Sequence, residues 1–99
     1  MKQIYVFIGD PMTGKSILAN WIKKEPIVFI EDNMSLYDDV EIKNLILNIK
    51  NDKVHEIFIL ITSNYNQLNH LTDRLKLLDI NVSLVEFKQL RGNTTKPKA

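Results

Sequence analysis

Apolar residues along this chain alternate between short unbroken runs and stripes at helical spacing. Ile4 to Ile8 is a continuous apolar or aromatic run, the pattern of a strand covered on both faces. After Gly14, residues Ile17, Leu18, Trp21 and Ile22 fall on one helical face. Glu25 precedes Pro26, which disfavours helical geometry and is expected to end that helix. Ile27 to Ile30 reads as a second buried-type strand, followed at once by Glu31 and Asp32. Ser35, with Asp38 three residues on, resembles a variant capping box. From there Leu36, Val40, Ile42, Leu45, Ile46 and Ile49 form a long helical stripe, broken at Asn51-Asp52-Lys53. Ile57 to Ile61 is the third strand and runs into Thr62-Ser63-Asn64. Leu68, Leu71, Leu75 and Leu78 recur at helical spacing, and Val82 to Phe87 is a fourth strand whose mixed polarity suits a sheet edge.

The order strand, helix, strand, helix, strand, helix, strand predicts an α/β fold. About four mainly parallel strands form the sheet, and helices cover both faces in a three-layer sandwich. One domain is expected over residues 1–90. Residues 91–99, RGNTTKPKA, hold no large apolar side chain and are expected to form a disordered tail. In such sheets a ligand sits beyond the carboxyl ends of the strands. The most polar features of the chain fall there: the loop from Gly9 to Ser16, the pair Glu31-Asp32, and Ser63-Asn64.

Composition narrows the chemistry. The 99 residues suit a single domain, and the net charge of +1 gives no general affinity for polyanions. With no cysteine, disulfides and thiolate metal sites are excluded. His55 and His70 are too few and too far apart to suggest a metal, and neither has an evident partner in the sequence. No apolar run approaches membrane-spanning length, and the amino terminus runs directly into a strand without a signal-peptide plan. A cytoplasmic protein, in a bacterial host or infected cell, is the expectation.

Residues 9 to 16, GDPMTGKS, carry the pattern G-x-x-x-x-G-K-[ST] between a strand and a helix. A chance match in so short a chain is on the order of a few per thousand. Such a loop turns successive backbone N–H groups inward and cradles phosphate oxygens, and the helix behind it adds its positive dipole end. The expected binding segment is Gly9, Asp10, Pro11, Met12, Thr13, Gly14, Lys15, Ser16 and Ile17. Lys15 is assigned to the outer phosphates and the Ser16 hydroxyl to Mg2+.

Glu31 and Asp32 are candidate metal and water acids, since one acid can hold Mg2+ while the other orients an attacking water. Asn64 is a candidate polar group at the terminal phosphate, and it equally suits a turn before a helix. Phosphoryl transfer also needs positive charge on the developing oxygens. Arg74 and Arg91 are the candidates, with Arg74 either a solvated helix charge or a group serving a neighbouring subunit. Trp21 and Tyr37 can be read as base-stacking platforms, but the helical position of Trp21 favours core packing. Lys23-Lys24, Lys96 and Lys98 are adequately explained by solvation.

Taken together, GDPMTGKS, IVFIED and IFILITSN resemble the three strand-end motifs of the superfamily-three helicases. These are additional-strand P-loop ATPases of AAA+ type from viral and plasmid replication proteins, and packaging ATPases of phages share their logic. The resemblance spans residues 4 to 64. It implies ATP and Mg2+ as ligands, with Lys15 on the phosphates, Ser16 on the metal, Glu31 and Asp32 as metal and water acids, and Asn64 as the polar sensor. It also implies action on single- or double-stranded DNA in replication or packaging, as a homo-oligomer or a subunit of a larger complex. The chain departs from the family in having only about ten residues between Ser16 and the second strand, and in an acid pair that reads Glu then Asp. Those departures leave a second expectation, a non-catalytic nucleotide-binding protein that regulates a larger ATPase. A small-molecule kinase ranks last, because the chain has only Arg74 and Arg91 to clamp phosphates.

Overall fold

A computed structural model describes residues 2–23, 26–32 and 34–88. The elements follow the order β1 (Gln3–Gly9), α1 (Lys15–Ile22), β2 (Val28–Glu31), α2 (Asp39–Asn51), β3 (Ile57–Thr62), α3 (Leu68–Lys76) and β4 (Asn81–Phe87). Two short 3-10 turns, Met34–Leu36 and Tyr65–Gln67, lead into α2 and α3. The four strands form one sheet of order β2-β3-β1-β4. Every neighbouring pair is parallel.

The registers sort side chains between the two faces. Ile4, Val6, Phe58 and Leu60 share one face and pack with Met34, Ile42, Leu45, Ile49, Leu71 and Leu75 from the α2 and α3 side. Phe7, Ile59, Ile61 and Val28 share the other with Ala19 of α1. Burial of each large aliphatic or aromatic side chain contributes roughly 1.5–3 kcal/mol, so these two clusters hold the layers together. The α/β architecture, with helices on both faces of a parallel sheet, is as the periodicity predicts.

Three local expectations are corrected. Trp21 is 71% exposed, and Ile17, Leu18 and Ile22 are also exposed, so the apolar stripe of α1 is not its core face. The buried residues of α1 are Lys15 and Ala19, because the loop before the helix sets its rotation. The cap of α2 is Asp38, not Ser35. The Asp38 carboxylate accepts from Glu41 N, and the Glu41 side chain accepts from Asp38 N, a full capping box one turn later than expected. Leu36 and Val40 are consequently exposed. β2 is a four-residue edge strand of which only Val28 is fully buried, with Phe29 packed on one core cluster and Ile30 on the other.

The histidines also have partners that the sequence conceals. His55 Nδ1 stands 2.8 Å from Asp52 Oδ2, and its ring meets Phe29 and Phe58. His70 reaches Asp39, tying α3 to the first turn of α2. β4 is the edge strand expected from its mixed polarity. Glu25, Lys24, Arg91, Lys96, Lys98 and the whole 91–99 tail lie outside the described residues. No helix among the described residues is long and apolar enough to cross a membrane.

Candidate functional site

The loop between β1 and α1 is shaped by two glycines for different reasons. At Gly9 a Cβ would stand 2.5 Å from the carbonyl oxygen of Phe87, so β4 can close on β1 only if this residue has no side chain. Gly14 caps α1 with φ +93, a left-handed conformation that disfavours any L side chain although space is open around it. Met12 adopts φ 66 at the tip of the loop and is 95% exposed. A non-glycine residue in that region carries local backbone strain.

Lys15 is the centre of the loop. It is only 6% exposed, and its ammonium donates to Gly9 O at 2.8 Å, Asp10 O at 2.6 Å and Thr13 Oγ1 at 3.1 Å. Thr13 Oγ1 in turn donates to Asp10 O at 2.8 Å. Burial lowers the Lys15 pKa from its ordinary value, and the nearby Asp10 charge opposes that shift. All three donors of the ammonium are thus turned onto its own loop.

Beside the loop lies a pocket of about 250 Å³ lined by Pro11, Met12, Gly14, Lys15, Ser16, Ile17, Asp32, Ser35, Ile61, Thr62 and Ser63. Three strand ends meet here: β1 through the loop, β2 through Asp32, and β3 through Thr62 and Ser63. The lining mixes one ammonium, one carboxylate and several hydroxyls. Ser16 and Asp32 supply oxygen donors of the hard type that Mg2+ takes, and Lys15 with the loop amides suits phosphate oxygens. The residues present therefore fit a phosphate chain with its metal.

The predicted site residues do not all arrive at that pocket. Lys15, Ser16, Ile17, Asp32 and the loop residues Pro11, Met12 and Gly14 line it; Gly9, Asp10 and Thr13 support it through the bonds to Lys15 and Thr13. Glu31 does not line it. Successive strand residues point to opposite faces, and the Glu31 carboxylate receives the hydroxyl of Tyr37 on the α2 side. That bond, with some burial and the Glu31 charge, pushes the Tyr37 phenol up to about 12. Tyr37 is thus a ligand of the acid and packs on the α2-side core.

Asn64 is not in the lining either. Its Oδ1 accepts from Asn66 N at 3.0 Å as the cap of a 3-10 turn, and its Nδ2 donates to Ser35 O at 3.2 Å. Arg74 donates to His70 Nε2 at 3.0 Å and stands 3.6 Å from Asp39 Oδ2, on the α2–α3 surface.

Sequence reasoning gave no site role to Thr62 or Gln67, took Ser35 as a helix cap, and noted Ser63 only as a polar strand-end residue. Ser63 N donates to Ser35 Oγ at 2.7 Å, and Asn64 N donates to Thr62 Oγ1 at 3.1 Å. The Thr62 hydroxyl donates to Gln67 Oε1. Gln67 is 8% exposed and its Nε2 has no hydrogen-bond partner among the described residues. Ser35 signals itself in sequence only by following the acid pair at the end of an apolar strand.

No protein-family profile matches the chain, and no curated protein matches it in sequence. The crystal structure of APE1195 has a similar fold, with a TM-score of 0.63 at 13% identity over 95% of this chain and 67% of that one. That likeness shows the fold alone.

Proposed function

We propose that this chain binds ATP with Mg2+ and hydrolyses it, as a reduced P-loop ATPase core serving phage, viral or plasmid nucleic-acid replication or packaging. The observation that carries this reading is the meeting of Lys15, Ser16 and Asp32 in one pocket at the carboxyl ends of three parallel strands. The strand order supports it further. β3 lies between β1, which leads into the loop, and β2, which ends in the acids. An inserted strand at that position is what the additional-strand P-loop resemblance leads one to expect.

In this reading the loop amides and the amino end of α1 receive the phosphate oxygens. Lys15 exchanges its bonds to Asp10 O and Thr13 Oγ1 for the outer phosphates. Ser16 and Asp32 hold the metal, which when bound neutralises charge building on the terminal phosphate. Asp32 is also the acid placed to orient water. Among the described residues no arginine lines the pocket; in this reading a second copy or another subunit supplies the compensating cation.

A second reading is favoured by specific bonds. Glu31 is held by Tyr37, and both ends of the Asn64 amide are engaged. A pocket whose described lining holds one acid and not the Asn64 amide suits a nucleotide-binding regulator of a larger ATPase. Steady-state ATP hydrolysis with Mg2+, with and without single-stranded DNA and beside Lys15→Ala, separates the two. Turnover that rises faster than protein concentration and is lost in the variant supports a shared-site ATPase. ATP bound without turnover supports the regulator.

A further inference from the structure

We infer that the hydroxyl of Ser35 is the group that distinguishes a nucleoside triphosphate from a diphosphate in this pocket. This rests on the phosphate-binding reading above and assigns a role that the motif residues leave open.

A serine hydroxyl offers one proton and two lone pairs. One lone pair of Ser35 Oγ is taken by Ser63 N at 2.7 Å. Its nearest hydroxyl neighbour is Thr62 Oγ1 at 3.5 Å, well beyond the 2.5–3.0 Å range of a good O–H···O bond. Thr62 spends its own proton on Gln67 Oε1 and one of its two lone pairs on Asn64 N, which leaves a second lone pair facing Ser35 only at that long distance. The Ser35 proton therefore has no partner at good distance among the described residues. It belongs to a side chain that lines the same pocket as Lys15, Ser16 and Asp32. An anionic oxygen at that position would accept it.

The competing candidate is Asn64, whose amide bonds Asn66 N and Ser35 O and does not line the pocket. The two are coupled, because the carbonyl of Ser35 holds the Asn64 amide while its hydroxyl receives the Ser63 amide. Ser35 is thereby fixed by two bonds from the β3 end, which lowers the ordering cost of donating to a ligand. A neutral donor adds no repulsive charge and carries no charge of its own beside Asp32, so Mg2+ can share the pocket. Lys15 and the loop amides serve any phosphate chain; Ser35 follows β2, is bonded to the residues after β3, and is assigned the additional phosphate.

Equilibrium binding of Mg-ATP and Mg-ADP to the wild type, Ser35→Ala, Ser35→Thr and Lys15→Ala tests this. A charge-assisted hydrogen bond changes affinity by about ten-fold. Ser35→Ala is expected to lose about that factor for ATP while keeping its affinity for ADP, and Ser35→Thr to retain the wild-type ratio. Should Ser35→Ala fail to fold, Ser35→Cys, a weak donor, carries the same expectation. An unchanged ATP-to-ADP ratio in a folded Ser35→Ala or Ser35→Cys protein overturns the inference, as does an equal loss for both nucleotides. If the wild type binds neither nucleotide, the phosphate reading itself falls and this inference with it. The two failures are distinct, because one is seen in the wild type and the other only in the Ser35 variants.

Discussion

The hydroxyl of Tyr37 donates to the Glu31 carboxylate on the α2 side of the sheet, leaving Asp32 as the one acid of the pair in the lining of the pocket beside the β1–α1 loop. The same bond makes Tyr37 a reporter of pH. Its folded pKa of about 12 lies above the ordinary value of 10.0, so the folded state holds the phenol proton more tightly than the unfolded chain. The stabilisation is present below pH 10 and is lost as pH rises through 12. Tyr37→Phe is expected to remove that part of the alkaline stability loss, measured as the difference between wild-type and variant urea midpoints across this range.

Gly9 and Gly14 should respond differently to alanine. Gly14→Ala meets open space but must hold φ +93, at a cost of about 1–2 kcal/mol. Gly9→Ala puts a methyl 2.5 Å from Phe87 O and must push β4 away from β1. We expect Gly9→Ala to be the more destabilising by at least about 1 kcal/mol in chemical denaturation.

Lys15 separates stability from binding. Replacing it with Met removes a buried charge but takes the ammonium donor from the carbonyls of Gly9 and Asp10, of which Asp10 O keeps the Thr13 hydroxyl. These terms oppose each other, so Lys15→Met should fold with a stability within about 1 kcal/mol of wild type. It should nonetheless lose phosphate binding, read by titration with Mg-ATP.

Asp52 follows α2 and holds the turn after it by accepting from Val54 N at 2.8 Å and His55 N at 2.7 Å. The backbone bond from His55 leads the causes that hold its carboxyl at about 2, against an ordinary 3.8. A depressed carboxylate stabilises the fold above pH 4, and that contribution fades as pH falls towards 2. Asp52→Ala should cost about 1–2 kcal/mol at neutral pH and flatten the acid limb of the stability profile between these values.

The sheet, its three crossover helices and the position of the glycine-bounded loop between β1 and α1 were legible because each rests on local pattern: apolar runs, 3.6-residue stripes, and glycines at fixed spacing. The failures share one physical cause, since tertiary context decides which of several local options is taken. Trp21 and its neighbours form a good amphipathic stripe, but the preceding loop turns Ala19 and Lys15 to the sheet instead. Ser35 and Asp38 both suit an N-cap, and only Asp38 has Glu41 in reach to complete a reciprocal pair. Glu31 and Asp32 look equivalent in sequence, whereas strand alternation and Tyr37 divide them. Asn64 suited both a phosphate contact and a turn in sequence, and in the fold its Oδ1 caps the turn while its Nδ2 donates to Ser35 O.

The most direct measurement is calorimetric titration of Mg-ATP into the wild-type protein beside Lys15→Ala. Saturable one-site binding by the wild type, weakened at least about ten-fold in a folded Lys15→Ala variant, is the predicted result. Absence of binding to the wild type, or equal binding to both proteins, would contradict the assignment of this pocket to a phosphate chain.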